Sequence, residues 1–159
     1  MKNNPVLKAG LVGALILVAI NLFALAPVVG CIAFPAELLA YVGIGALAVH
    51  WMAPPRVLGR SALNGASAAG IAAIVGGLVR AVTAGIGAAV AGPSTKQVLE
   101  MLPPETVEQL QALQFDPATL LSGPAVGGMA LICCLPLGLV VGALLGALGG
   151  AIDAAIEPN

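Results

Sequence analysis

Four apolar runs, at about residues 8–26, 35–52, 61–91 and 124–152, constrain this chain more than any other feature. At ~1.5 Å of rise per residue, about 20 helical residues cross the ~30 Å hydrocarbon core of a bilayer. Each run is of spanning length, and the last two exceed it, so they are expected to tilt, bend or protrude. Charged residues make up 8% and hydrophobic ones 60% of 159 residues, with a mean hydropathy of +1.07. A soluble domain carries roughly 25% charged residues, so water cannot be the solvent for most of this surface. Aromatics reach only 3% against 21 glycines. That balance suits helices packed backbone to backbone and not a β-barrel with aromatic girdles. The expected fold is all-α: an integral membrane four-helix bundle forming one domain over residues 1–159.

The same composition excludes several functions. Six Lys and Arg in a chain of net charge −1 give no basic stripe to neutralise a phosphate backbone, so nucleic acid is not an expected partner. Three Cys and a single His50 rule against a disulfide scaffold or a structural zinc site, and no metal is expected. Cys133 and Cys134 lie inside an apolar run and read as packing residues. No Ser/His/Asp set, clustered histidines or glycine loop followed by Lys-Ser/Thr occurs, so neither an enzyme nor a cofactor site is predicted.

The first run has the form of a targeting signal, with Lys2 and Lys8 ahead of an apolar stretch. Pro27 directly after Ala24-Leu25-Ala26 disfavours cleavage there. Val28-Val29-Gly30-Cys31 has the form of a lipoprotein box, but Ile32-Ala33-Phe34 continues apolar where a lipidated Cys needs a polar tether. The run is therefore read as an uncleaved first helix. Lys2, Lys8, Arg56 and Arg60 fall on one side of the four spans and Lys96 on the other, so both termini are expected in the cytoplasm. Asp153 and Glu157 then lie on the same side as Arg56 and Arg60, within pairing range.

Residues 94–122 are the one stretch of soluble character. Ser94-Thr95-Lys96-Gln97 reads as a capping box, Pro104 suits a first helical position, and Val107, Leu110 and Leu113 share a side opposed to Glu105, Glu108 and Gln111. A short amphipathic segment on the outer interface is expected here.

The last run carries Gly138, Gly142, Gly146 and Gly150 at i+4 steps, a slowly drifting stripe of the glycine-zipper kind. Such a stripe lets another backbone approach to van der Waals contact, which lipid-immersed helices need because burial gives little between apolar helices. In the third run Ile71, Ile74, Val75, Leu78, Val82 and Ile86 fall on one face, opposite Gly65, Ala69, Ala72, Gly76, Arg80, Thr83 and Gly87. Gly65, Gly76 and Gly87 join the last run's glycines as expected helix-packing positions. Arg80 on a small-residue face must be compensated, since an intramembrane Arg costs ~3 kcal/mol on insertion scales. Counted from the cytoplasmic ends, Arg80, Glu37 and Asn21 lie ~28, ~22 and ~20 Å up. They form an expected polar cluster, with Tyr41 one turn from Glu37; either Arg80 snorkels to the outer surface while Glu37 sits among headgroups, or the two pair.

Aligning Pro35 with Pro136 also aligns Leu38 with Leu139 and Gly45-Ala46-Leu47 with Gly146-Ala147-Leu148, the pattern of a parallel duplication. His50-Trp51 closes the second run where an interfacial Trp belongs. Ala46 four residues before His50 also matches the small-residue-then-His pattern of pigment ligands, which keeps pigment or haem ligation by His50 as a weaker alternative.

The run from Pro27 through Pro35, followed by Gly43-Ile44-Gly45-Ala46-Leu47-Ala48, a Gly/Ala-rich third span and a Cys-Cys-bearing fourth, resembles small four-span Gly/Ala-rich membrane proteins of prokaryotes. No activity is assigned to that family, so the resemblance implies four spans and a prokaryotic inner or plasma membrane, and no chemistry. The expected function is non-enzymatic: a structural or accessory component that packs through Gly/Ala faces with itself or a larger membrane complex. A small transporter or channel-forming oligomer lined by the Asn21/Glu37/Arg80 cluster is the alternative.

Overall fold

The computed structural model describes residues 4–23, 30–90, 101, 103, 105, 106, 119 and 122–156. Its elements are α1 (Pro5–Phe23), α2 (Gly30–His50), α3 (Leu58–Val90), α4 (Gly123–Met129), a π-helical turn (Ala130–Cys134) and α5 (Leu135–Ile156). No strand occurs among the described residues. Four helical stretches are long and apolar enough to cross a membrane: Pro5–Phe23, Ala33–His50, Leu58–Val90 and Gly123–Ile156. The amphipathic segment expected over 94–122 lies outside the described residues apart from isolated positions, and the side chain of Cys31 lies outside them too.

Local chemistry sets the helix ends. Asn4 accepts the backbone N–H of Val6 at 3.2 Å while Pro5 supplies a pre-set φ at the first helical position. α2 starts at Gly30, ahead of the Pro35 expected to open it, and carries that proline inside its early turns. It ends at His50 in a tightened turn, Met52 N–H to Val49 O at 2.9 Å, because Pro54 and Pro55 cannot continue a helix. The π turn was not foreseen. It immediately precedes Leu135-Pro136, and Pro136 has no N–H to give the carbonyl four residues back, which is where a widened turn relieves an α-helix.

The chain divides into two compact units, Met1–Val79 with Leu135–Asn159, and Arg80–Cys134. In the first, α5 lies between α2 and the early part of α3. A Cβ built on Gly142 would come to 3.0 Å from Tyr41 Cε1 and 3.3 Å from Ala73 Cβ. One on Gly146 would meet Gly65 O at 2.6 Å and the Ala69 side chain closer still, and one on Gly150 would meet Ser61 O at 2.6 Å and Val49 Cγ2 at 3.1 Å. From the other side, a Cβ on Gly45 would run into the backbone of Gly146. Tyr41, Gly45 and Val49 thus meet Gly142, Gly146 and Gly150 in the same chain order, so α2 and α5 run parallel. Their register equals the offset that aligns Pro35 with Pro136. Ser61, Gly65, Ala69 and Ala73 meet the same glycines in reverse order, so α3 runs antiparallel to α5. α1 closes the unit: Gly10 lies against Ala68 O and Ile71, Gly13 receives Ile44, and Leu17 covers Gly76.

The interior is built of small side chains. Ala9, Ala48, Ala68, Ala69 and Ala72 are fully buried around Leu17 and Ile44. Large apolar residues point outward, with Leu15, Leu39 and Leu63 about 70% exposed while Leu17 is 1% exposed. In the second unit the end of α3 packs on α4, a Cβ on Gly85 approaching Gly123 O at 3.0 Å and one on Gly127 approaching Ala81 O at 3.1 Å. A shallow apolar groove of about 400 Å³ follows this seam between Ala81–Ala89 and Gly123–Leu131.

Adding a single carbon at Gly146 therefore forces two backbones apart. Gly146→Ala should lower stability by about 1–3 kcal/mol, the range for overpacking, read as thermal midpoint in detergent. Gly138→Ala, where a Cβ meets nothing within 4 Å, should leave the midpoint unchanged or slightly higher because Ala is the better helix former.

Candidate functional site

Two polar groupings interrupt the apolar interior of the first unit. Toward the end of α1, Asn21 donates one amide hydrogen to Leu17 O at 2.8 Å and another to Glu37 Oε1 of α2 at 3.0 Å. Both side chains are half-buried. Asn21 is oriented by its own helix, so its second N–H is aimed before Glu37 arrives. A carboxylate accepting such a bond in a low-dielectric site gains more from it than in water. Tyr41, one turn along α2 from Glu37, lays its ring against Gly142 of α5. Following the α2–α5 register, the glycine opposite Glu37 is Gly138, whose Cβ position is open. The close seam of glycines has ended at this level, and Glu37 Oε1 meets Asn21 of α1.

The second grouping sits where α1 begins and α2 ends. Lys8 Nζ lies 5.3 Å from the centroid of the Trp51 ring, a cation–π contact. Arg56, in the connection between α2 and α3, donates from Nη2 to His50 O at 3.0 Å and lies 3.7 Å from Asp153 Oδ2 of α5. Their side chains are 9% and 19% exposed. Pro54 and Pro55 end α2 and direct the chain back toward α5, which is what lets Arg56 reach Asp153 while capping the α2 carbonyls. Asn64 Nδ2 donates weakly to Met52 Sδ at 3.1 Å from the neighbouring turn. Ser61 is fully buried, and its Oγ has no hydrogen-bond partner. Its place against Gly150 demands a small side chain, and serine meets that demand by size.

Of the residues singled out in sequence, Asn21 and Glu37 are thus brought into contact, and Tyr41 turns its ring toward α5. Arg80 belongs to the second unit, where it is exposed and its carbonyl accepts the Thr83 hydroxyl at 3.0 Å. Gly65, Gly76, Gly142, Gly146 and Gly150 lie at close helix contacts, while a Cβ at Gly87 or Gly138 would meet nothing within 4 Å. His50 is exposed at the last position of α2. Cys133 and Cys134, read from sequence as packing residues, are exposed instead, at the end of the π turn. The Lys8–Trp51 contact escaped sequence reasoning. The signal for it was there, since counting both residues from their helix ends puts them at one level.

Among the described residues no three His, Cys, Asp or Glu side chains converge as a metal site would require. No protein-family model, curated protein or solved structure matches the chain.

Three substitutions test these groupings. In a double-mutant cycle, Asn21→Leu and Glu37→Leu should show a coupling energy of about 0.5–1.5 kcal/mol, the range for an interhelical hydrogen bond between apolar helices; strictly additive losses would contradict the contact. Asp153→Ala should cost about 1–2 kcal/mol, less than a fully buried pair because the carboxylate retains some solvent and the separation is long. Chemical unfolding of the detergent-solubilised protein reads the loss.

Proposed function

We propose that this chain is an integral membrane protein of four spans with both termini in the cytoplasm, acting without catalysis as a structural or accessory component. It packs through Gly/Ala helix faces with further copies of itself or within a larger membrane complex. The observation that carries this reading is the inversion of side-chain size: alanines and glycines fill the interior while Leu15, Leu39, Leu63, Val90 and Ile132 face outward. In water such a surface is an aggregation site, whereas in hydrocarbon it is the solvated face. The placement of Lys8, Arg56 and Arg60 at one end of the first unit supports that end as the cytoplasmic one. Gly43, Gly70, Gly128 and Gly138, with no neighbour within 4 Å of a Cβ, leave backbone accessible to a further helix. A prokaryotic inner membrane, no nucleic-acid partner and no bound cofactor complete the proposal, and His50 then serves as a helix-end residue at the interface.

The Asn21–Glu37 bond favours a second reading, a small transporter or channel-forming oligomer. An amide and a carboxylate held between apolar helices are costly to retain for packing alone. Ion or proton flux into vesicles carrying the purified protein, abolished by Glu37→Gln, would move the assignment to that reading.

Cysteine-accessibility labelling tests the topology. Single cysteines at Lys96 and Glu105, in a chain whose native cysteines are replaced, should react with a membrane-impermeant maleimide from outside intact cells, and one at Pro55 only after permeabilisation. Labelling of positions 96 and 105 from the cytoplasmic side alone would overturn the orientation.

A further inference from the structure

The end of the first unit that holds Lys8 carries more positive charge than its own contacts use. Lys8, Arg56 and Arg60 all lie there: Lys8 touches Trp51, Arg56 sits in the connection that follows Trp51, and Arg60 is in the first turn of α3. Among the described residues of this unit the carboxylates are Glu37 and Asp153, and Asp153 is directed at Arg56. Arg56 is thereby neutralised. Lys8 and Arg60 remain, both exposed, with no described carboxylate of this unit directed at them. The surface beside them is apolar: Leu7 and Leu11 on α1 are 41% and 54% exposed, and Val57 ahead of α3 is 62% exposed. Trp51 is 39% exposed at the boundary between the two.

Charge above, a half-exposed indole at the boundary and exposed leucines below match the cross-section of a phospholipid. A free anion would use the cations alone and leave Leu7 and Leu11 without purpose. We propose that this end of the bundle binds the phosphate headgroup of an anionic phospholipid, with Lys8 and Arg60 on the phosphate, Trp51 at the glycerol level and an acyl chain along Leu7 and Leu11. Each basic residue close to an anionic surface contributes an attraction that salt screens within a Debye length. The inference rests on the membrane reading, since only a chain immersed in a bilayer presents this end at headgroup level.

Trp51 is the only tryptophan, so its fluorescence reports this site alone. The purified full chain is reconstituted in phosphatidylcholine vesicles containing brominated phosphatidylglycerol or, in parallel, brominated phosphatidylcholine. The anionic quencher should be effective at a roughly fivefold lower mole fraction, and high salt should erode the preference. Lys8→Gln with Arg60→Gln should bring the two lipids within twofold, while Lys8→Arg keeps the preference, which separates lost charge from a disturbed fold. Equal quenching of the native chain by both lipids overturns the headgroup site and leaves the membrane reading standing. Relief of quenching by millimolar inorganic phosphate would make this a free-anion site and overturn the lipid assignment. Quenching by neither lipid would show that Trp51 is not at a bilayer, and both readings would fall.

Discussion

The approach of α5 to α2 and α3 at Gly146 is the contact on which the first unit depends. Gly45 and Gly65 bring their backbones against it from two sides, and neither could do so past a Cβ. One turn to either side, Gly142 accepts Tyr41 and Ala73, and Gly150 accepts Val49 and Ser61. Dispersion between backbone atoms is small per pair and falls off steeply with a gap of half an ångström or more. Three helices held this close collect many such pairs without any apolar side chain leaving an apolar solvent. The register of α5 against two helices at once follows from those three positions, because a slip by one residue would set Leu145 or Ala147 where only glycine fits.

The rest of the arrangement follows from that closeness. Small residues used for contact leave the large ones for the outside, which gives the exposed leucines, valines and isoleucines of all the long helices. With the interior filled by alanine and glycine, the Asn21–Glu37 and Arg56–Asp153 contacts lie where the seam opens and where helices end. Glu37 sits at the level where the seam gives way at Gly138, and its Oε1 accepts a hydrogen bond from Asn21 of α1. Arg56 and Asp153 sit at the helix ends, where a connection shortened by two prolines returns toward the last turns of α5. The functional proposals draw on these same facts: helix faces made for close packing, one amide–carboxylate pair inside, and a basic end with an indole at its edge.

Much of this was legible in the chain because its signals are periodic. The four apolar stretches and their helical character follow from length and hydropathy, and i+4 spacing is enough to place Gly142, Gly146 and Gly150 on one face. Depth counting places Asn21 near Glu37 for the same reason, since rise per residue is fixed in a helix. What periodicity does not encode is which neighbour a face meets. Gly138 continues the stripe in sequence, but a Cβ there would meet nothing within 4 Å, so it lies beyond the close contact. Tyr41 shares a face with Glu37, and its ring lies against Gly142. The π turn had a local cause in Pro136, but hydropathy alone reads straight through it. The start of α2 at Gly30 was missed because Pro35, usually a helix opener, is accommodated inside an already formed turn.

Glycine backbones, and not side chains, set the spacing of α5 against α2 and α3. Solid-state NMR of glycine-labelled protein in bilayers measures this directly. Close backbone packing should give carbon–carbon cross-peaks linking Gly146 to both Gly45 and Gly65, and no correlation between Gly146 and lipid acyl chains. Cross-peaks from Gly146 to acyl-chain protons, with none to Gly45 or Gly65, would contradict it.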